Sequence, residues 1–254
     1  MIPSAASRLW KRSLSVCLKN KNMPVHEPKP TGIPWEIIFK TLEKWHNRIS
    51  AKDETAVGQV AEKYRQEPDG PWAVLVSTIL SLRTKDEVTR NTSRALLAKA
   101  PDPVKLLRLT EEEVSRLAYP AGFYRTKASQ LRKIASILII KYNSKVPADM
   151  EALLELPGVG RKTANLVLTE AFDMYGICVD IHVHRICNRT GWIKTTSPDE
   201  TETTLRAILP KKFWKKINGL LVFYGQNICR PVSPFCSLCV IYEHCVRAGV
   251  DKSR

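Results

Sequence analysis

Four cysteines near the C-terminus place the tightest constraint on how this chain can fold. They are Cys229, Cys236, Cys239 and Cys245, in the pattern C-x6-C-x2-C-x5-C. Four thiolates this close in sequence can surround one tetrahedral centre, and the spacing favours a [4Fe-4S] cluster. A zinc ribbon has two C-x2-C arms and this segment has one, so zinc is the less favoured alternative, and disulfides or free thiols are a third.

Size and charge narrow the function classes further. The chain has 254 residues and a net charge of +15, which allows one large or two modest domains and indicates a polyanionic partner. Nucleic acid is the simplest such partner, and an acidic membrane surface is the alternative. The sequence contains no apolar run of the roughly 18 residues that a membrane span needs. The other cysteines (Cys17, Cys178 and Cys187) are scattered, which favours a reducing intracellular compartment.

Residues 1–32 differ from the rest of the chain. This segment has six basic residues and one acid, Glu27, so residues 33–254 keep a net charge of +10. Residues 1–22 are basic, contain serine and lack acids, as in an organellar transit peptide. A DNA-binding arm and a start codon upstream of Met23 are the alternatives. The proline-rich stretch that follows predicts a linker.

From Ile33 onward the pattern is helical, and it predicts an all-α protein without an internal repeat. Pro71 is positioned to begin a strongly apolar helix, and Asp86 to cap the next. Thr110 with Glu113 predicts a capping box. A further short helix opens at Pro147 and Asp149.

The segment Leu156–Leu168 predicts a helical hairpin. Gly158 and Gly160 stand between a short and a longer helix, where glycine permits a tight turn and close approach of a phosphate. The amides and dipole at the start of the second helix favour an anion, and Arg161 and Lys162 add positive charge. We therefore predict a grip on the DNA backbone that does not read sequence. The alternative is a plain helical turn.

Lys162 and Asp180 are the candidate catalytic pair. Lys162 lies in the first turn of the second helix, where the dipole favours the neutral amine that a nucleophile requires. That helix carries the chain away by roughly 18 Å, and residues 173–179, if extended, return it over roughly 23 Å. Asp180 can therefore reach the same site. The alternatives are a phosphate-binding lysine and a simple helix cap; we expect His182 and His184 to be structural.

Together these motifs resemble the endonuclease III family of DNA glycosylases with AP-lyase activity. The resemblance rests on the hairpin, on the Val-Asp-Ile-His block at Asp180 and on the four cysteines, and it covers about residues 33–245. It implies an all-α, two-domain helix-hairpin-helix fold with DNA between the domains. One domain is expected at 64–174, and the other joins 33–63 to the cluster-bearing part, 175–254.

The family motif places the catalytic lysine at Lys162 and the catalytic carboxylate at Asp180. It implies a bifunctional enzyme of base excision repair that removes oxidised pyrimidines and cuts 3′ to the abasic site. The [4Fe-4S] cluster is expected to be structural and held by the four C-terminal cysteines. A monofunctional or mismatch-directed glycosylase and a non-catalytic DNA-binding module are the alternatives.

Two positions differ from the bacterial pattern, in segments that the resemblance implies penetrate the duplex. Arg83 stands where glutamine is frequent, and Phe123 where leucine is common. We expect Phe123 to act as a wedge and Arg83 to fill the gap left by a flipped base; the alternative is a core phenylalanine and a phosphate contact. Lys127, close to Phe123, is also expected to contact DNA. The partner is expected to be double-stranded DNA with damaged bases or abasic sites, bound by a monomer in the cytoplasm or nucleoid, nucleus or mitochondrion.

Overall fold

The computed structural model describes residues 32–49 and 55–254, and within these ranges the chain is helical without strands. None of the helices in the described ranges is long and apolar enough to cross a membrane. The basic extension, apart from Gly32, lies outside the described residues. The α-helices are α1 (Trp35–Ile49), α2 (Ala56–Tyr64), α3 (Gly70–Ser81), α4 (Asp86–Lys99), α5 (Pro103–Arg108), α6 (Glu111–Ala118), α7 (Tyr124–Tyr142), α8 (Met150–Leu154), α9 (Arg161–Phe172), α10 (Ile181–Thr190), α11 (Pro198–Ile208) and α12 (Trp214–Asn227). Three short 3₁₀ helices follow α11 or lie among the C-terminal cysteines, at Lys211–Phe213, Cys236–Leu238 and Tyr242–His244.

Several helix starts follow the capping rules predicted from the sequence, and one predicted cap is wrong. The predicted capping box is confirmed, because Thr110 N donates to Glu113 Oε2 at 2.7 Å and Glu113 N donates to Thr110 Oγ1 at 3.2 Å. Asp149 caps α8 through Ala152 N at 2.9 Å. The prediction that Asp86 is a cap is wrong: Lys85 is the cap residue and Asp86 is the first residue of α4, where its charge still complements the helix dipole.

A first core forms around α3. This helix is apolar on nearly all sides and buries ten of its residues, from Gly70 to Leu80, because α4, α7 and α9 surround it. Trp72 donates its ring N–H to Ala100 O at 3.2 Å, which satisfies the polar atom of an otherwise buried indole. Buried residues of this core run from Val60 to Leu168. α2 also packs on α3, through Val57, Ala61 and Val74.

A second core joins the two ends of the described chain. Its buried residues come from α1 and from residues 177–241. Aromatic rings link α1 to the C-terminal part: Phe39 stacks on Phe213 with centroids 4.1 Å apart, and Trp45 meets Tyr224 edge-on at 4.8 Å. The chain thus leaves this core after α1 and returns to it after α9, at Ile177.

Phe39→Ala tests whether α1 closes the second core. The ring is 1% exposed, so its removal is expected to lower the free energy of unfolding by about 3–5 kcal/mol, through lost transfer energy and a cavity. The measurement is urea unfolding followed by tryptophan fluorescence. Ile37→Ala, on the same helix but 57% exposed, is the control and should change stability by less than about 0.5 kcal/mol. Equal losses for both variants would contradict this packing.

Candidate active site

The predicted hairpin forms between α8 and α9. Gly158 has φ +78°, a left-handed conformation that favours glycine, and a Cβ there would lie 2.6 Å from Gln130 Nε2. Gly160 precedes α9 with φ −95° and no capping side chain, and a Cβ on it would meet nothing within 4 Å. The protein itself therefore requires glycine at 158 but not at 160. Open space beside the uncapped amides of α9 leaves room for an external anion.

Arg161 is held by an acid from the second core. Its guanidinium binds Glu202 on α11 in a bidentate pair, with Nε and Nη2 each 2.9 Å from a carboxylate oxygen. Glu202 is 2% exposed and also accepts from Arg206 Nε at 2.8 Å. Burial raises the pKa of Glu202, but the hydrogen bonds from Arg161 and Arg206 outweigh it and hold the pKa below its usual value. Arg161 therefore forms an ion pair between the two cores. Its side chain is still partly exposed, and its expected DNA contact stays a prediction.

Lys162 and Asp180 lie on two chain segments that meet at the buried Cys178. Lys162 is exposed on the first turn of α9 and Asp180 is partly buried before α10. Cys178 sits between their segments, with its thiol 3.7 Å from Lys162 O. Burial raises the pKa of Cys178 to about 12, with the charge of Lys162 opposing that rise and Asp180 adding to it. Both predicted catalytic groups are thus within electrostatic reach of the same thiol.

Asp180 is both a helix cap and a candidate catalytic carboxylate. Its Oδ1 accepts from His182 N at 2.8 Å and from Val183 N at 2.9 Å, so the capping role is real. Both bonds end on the same oxygen, and among the described residues no hydrogen bond ends on Oδ2. The cap therefore orients the carboxylate and leaves one oxygen for another partner.

The two histidines have protein partners, as expected of structural residues. His182 Nδ1 lies 3.1 Å from Arg185 Nη2, and His184 Nδ1 lies 2.7 Å from Thr201 Oγ1. Burial lowers the pKa of His182 below its usual value, and the charges of Arg185 and Lys162 add to this while Asp180 opposes it. His182 is therefore a second group on which Lys162 and Asp180 both act.

Arg83 and Phe123 meet on a surface formed by two loops. The Arg83 guanidinium carbon lies 5.5 Å from the centre of the Phe123 ring. The ring is 63% exposed, so the alternative that Phe123 is a core residue is wrong. Both residues have left-handed backbones, with φ 53° for Arg83 and 57° for Phe123.

Lys127 does not occupy the position predicted for it. Its side chain is 3% exposed, and its Nζ donates to Leu80 O, Leu82 O and Thr84 Oγ1 at 2.8, 2.6 and 2.8 Å. Burial lowers the pKa of Lys127 to about 8. With all three protons used inside the protein, Lys127 cannot also reach a phosphate, and the prediction of a direct DNA contact does not fit.

The four C-terminal cysteines lie close enough to influence one another. Burial raises the pKa of Cys239 to about 12 and that of Cys245 to about 11, and the charge of Cys229 adds to both shifts. Two donors reach sulfur: Tyr224 Oη lies 3.1 Å from Cys239 Sγ and Arg189 Nη1 lies 3.4 Å from Cys229 Sγ. Within the described ranges, no three His, Cys, Asp or Glu side chains form a group that could hold a metal ion.

Sequence reasoning missed the residues that support these positions. Glu202 reads as one more acid on an amphipathic helix, and Thr84 and Gly122 read as ordinary loop residues. Glu202 is separated from Arg161 by 41 residues, and Thr84 from Gly122 by 38 residues. No local spacing in the sequence reveals contacts at such separations.

A cleft elsewhere on the surface is lined by residues including Glu43, Glu62 and Lys215. It contains neither Lys162 nor Asp180.

The fold and the hairpin agree with comparisons to known proteins. The model of the HhH-GPD superfamily of base excision DNA repair proteins matches residues 76–211. Endonuclease III of Thermotoga maritima is 46% identical over 69% of this chain and 82% of its own length. The Endonuclease III-like protein 1 of Gallus gallus is 34% identical over 97% of this chain and 90% of its own.

Two solved structures extend the match to three dimensions. A trapped endonuclease III–DNA covalent intermediate with an estranged adenine has 30% identity and a TM-score of 0.68, and a non-covalent endonuclease III–DNA complex has 31% and 0.69. Each covers 83% of this chain and 94% of the solved chain. The fold and site thus define a helix-hairpin-helix DNA glycosylase of base excision repair. Within that class, the chain belongs to the endonuclease III family.

Glu202→Gln tests the ion pair between the cores. The amide keeps the shape but leaves two guanidinium groups without a countercharge, so we expect a loss of about 2 kcal/mol in the free energy of unfolding, less than for a fully buried pair because both arginines are partly exposed. Because the folded-state pKa of Glu202 is below its usual 4.5, its contribution is present above about pH 4.5 and disappears as the pH falls through the folded value.

The measurement is urea unfolding of wild type and variant from about pH 3 to about pH 7, a range that extends to both sides of the ordinary glutamate pKa of about 4.3. The stability difference should shrink below about pH 4.5. Glu112→Gln, at an exposed position on α6, is the control. A stability difference that stays constant with pH would contradict the ion-pair explanation.

Proposed function

We propose that the protein removes oxidised pyrimidines from DNA and cleaves the resulting abasic site, with Lys162 as nucleophile and Asp180 as the assisting carboxylate. The observation that carries the proposal is the contact of the Cys178 thiol with Lys162 O at 3.7 Å, which brings the segment that ends at Asp180 against the first turn of α9. A relative of this family has been trapped as a covalent intermediate on DNA, which supports covalent chemistry here.

The reaction begins when the Lys162 amine attacks C1′ of the damaged nucleotide. A C–N bond forms to the lysine while the bond from C1′ to the base breaks, and the base leaves with that electron pair. The attached nitrogen then loses one proton. Its lone pair forms the C1′=N bond as the C1′–O4′ bond breaks, and O4′ takes up a proton, which leaves a protonated imine. Removal of a C2′ proton then expels the 3′ phosphate, and water releases Lys162 from the cleaved product.

Asp180 supports the same steps from the start of α10. Its Oδ1 is committed to the helix amides, so Oδ2 is the oxygen that faces the reaction. A carboxylate there stabilises the positive charge that develops on the sugar as the base departs, and it can accept the proton that Lys162 loses. The cap keeps the carboxylate oriented, which is the form of preorganisation that such stabilisation requires.

The hairpin and the Arg83–Phe123 pair supply DNA binding. Gly160 leaves open space beside the α9 amides, where a phosphate oxygen can approach the backbone. The exposed Phe123 ring can wedge into the stack, since base–aromatic stacking contributes about 1–3 kcal/mol per base. Arg83, beside it, can donate to the orphan base and favours the acceptor edge of guanine. A flipped base costs a few kcal/mol, and less when its pairing is already weak.

The chemistry of the C-terminal cysteines supports the proposal of a structural [4Fe-4S] cluster. Their donor set is four sulfurs, which is the ligand set that such clusters use, and Arg189 and Tyr224 donate toward two of the sulfurs. Arg189 also donates to Arg230 O at 2.7 Å and Pro231 O at 3.0 Å. The loop that carries the cysteines is thereby tied to α10, the helix that Asp180 caps.

The two cores support a two-domain organisation with DNA bound between the domains. The predicted boundaries at about residues 64 and 175 stay predictions. The packing of α2 on α3 favours a first boundary that lies before α2. A monomeric state and a DNA-associated intracellular location stay predictions.

Lys162→Gln and Asp180→Asn test the chemistry. Lys162→Gln should bind lesion DNA within about threefold of wild type but lose base release, strand cleavage and the borohydride-stable adduct, because no amine remains to form the imine. Asp180→Asn keeps an acceptor for the α10 amides, so it should fold and bind but turn over at least about a hundredfold more slowly. The measurements are single-turnover cleavage of thymine-glycol and abasic duplexes and a borohydride trapping gel.

Lys194→Gln, at an exposed position outside the hairpin, is the matched control and should retain the adduct. An undiminished adduct in Lys162→Gln would place the nucleophile elsewhere. Wild-type protein that binds but forms no product on any of these duplexes would favour a non-catalytic DNA-binding module.

Metal analysis tests the proposed cluster. Native protein should contain about four iron atoms per chain and little zinc, and show broad visible absorption. Cys239→Ser should lower iron content and folded yield, because metal binding contributes to folding, whereas Cys187→Ser, at a buried cysteine outside the set, should keep its iron. One zinc and no iron in the native protein would contradict the proposal.

A further inference from the structure

A single buried ammonium group joins the two loops that present Arg83 and Phe123. Lys127 lies on α7, and its three hydrogen bonds all end on residues 80–84, the segment that contains Arg83. Lysine is almost never this buried unless its charge is matched or its donors are satisfied. Here two carbonyl oxygens and one hydroxyl satisfy them, so the α7 side chain anchors the Arg83 loop.

The same contacts reach the Phe123 loop. Thr84 Oγ1, which accepts from Lys127, also accepts from Gly122 N at 3.1 Å. Gly122 lies against the other loop so closely that a Cβ would be 2.5 Å from Arg83 O. Phe123 is the residue before α7, and its carbonyl accepts from Lys127 N at 3.0 Å. The two loops therefore form one unit around the Lys127 side chain.

Backbone strain shows that this unit is held in place. Arg83 and Phe123 both have left-handed φ angles, which non-glycine residues keep only where the surroundings over-determine the conformation. In this conformation the Phe123 ring is 63% exposed, and the guanidinium carbon of Arg83 lies 5.5 Å from the centre of that ring. Without its anchor, each loop could relax and separate the pair.

We propose that Lys127 is a positioning residue that holds Arg83 and Phe123 together for entry into the duplex, without touching DNA itself. This inference rests on the proposed function, in which those two residues open the duplex at a lesion. It assigns to Lys127 a role in extrusion of the damaged base and in discrimination of the opposite base, and none in the chemistry at Lys162.

Lys127→Met tests the inference, with Lys133→Met as a matched control at an exposed position on the same helix. Methionine keeps most of the apolar stem and removes the three hydrogen bonds. We expect base release from a thymine-glycol duplex to fall about tenfold in single turnover, while cleavage of a preformed abasic site falls less than about twofold. The preference between guanine and adenine opposite the lesion should also shrink. The control should match wild type in all three measurements.

A double-mutant cycle separates positioning from general stability. If Lys127 acts through the wedge, Lys127→Met should cost less than about twofold in a Phe123→Ala background, since residues that act as one unit are not additive. Equal losses on the base lesion and the abasic site, or a full tenfold loss in the Phe123→Ala background, would overturn the inference.

Gly122→Ala keeps the test decisive if Lys127→Met folds poorly. The added methyl group would press on Arg83 O and separate the same loops, so the same selective loss of base release is expected. A fully active Gly122→Ala would overturn the inference. Failure of the proposed function is distinct, because wild-type protein would then release no base from any lesion duplex.

Discussion

The buried carboxylate of Glu202 is the interaction on which the active-site geometry depends. It lies in the second core but binds Arg161, the first residue of α9, whose helix packs into the first core. A buried carboxylate is tolerated only when its charge and hydrogen bonds are satisfied, and Arg161 and Arg206 satisfy them from two helices. Arg206 also donates to Asn165 Oδ1 at 3.0 Å, one turn further along α9. The orientation of α9 relative to the second core is thereby set beside Lys162.

This connection explains how residues from separate cores come to one place. Lys162 is carried by α9 and Asp180 by the start of α10, and the buried Cys178 lies between them. The pair thus depends on contacts between cores more than on either helix alone. The cap at Asp180 occupies only Oδ1, which leaves Oδ2 for the reacting role that we propose for this residue. The cap at Asp180 thus stabilises α10 and also fixes the orientation of the carboxylate that we propose for the reaction.

Basic side chains serve two different purposes in this chain. Some are matched inside the protein, as Arg161 is by Glu202 and Arg189 is by the carbonyls of the cysteine loop. Lys127 is fully committed to loop carbonyls and a hydroxyl. The positive charge that remains on the surface gives the attraction to DNA, which should weaken steeply with salt as counterions are released. Lys127 shows that a basic side chain expected to contact DNA can instead be used inside the protein.

Local patterns in the sequence determined much of this protein. The helical periodicity, the Thr110–Glu113 capping box, the glycine hairpin before α9 and the cap at Asp180 are each set by neighbours within a few residues, and the structure confirms all of them. Tertiary structure alone decided which charges are buried. The partners of Lys127 lie 43 to 47 residues away, and those of Arg161 and Glu202 lie 41 residues apart. Burial and pairing at such separations follow from how helices pack, and side-chain spacing along one helix carries no information about that packing.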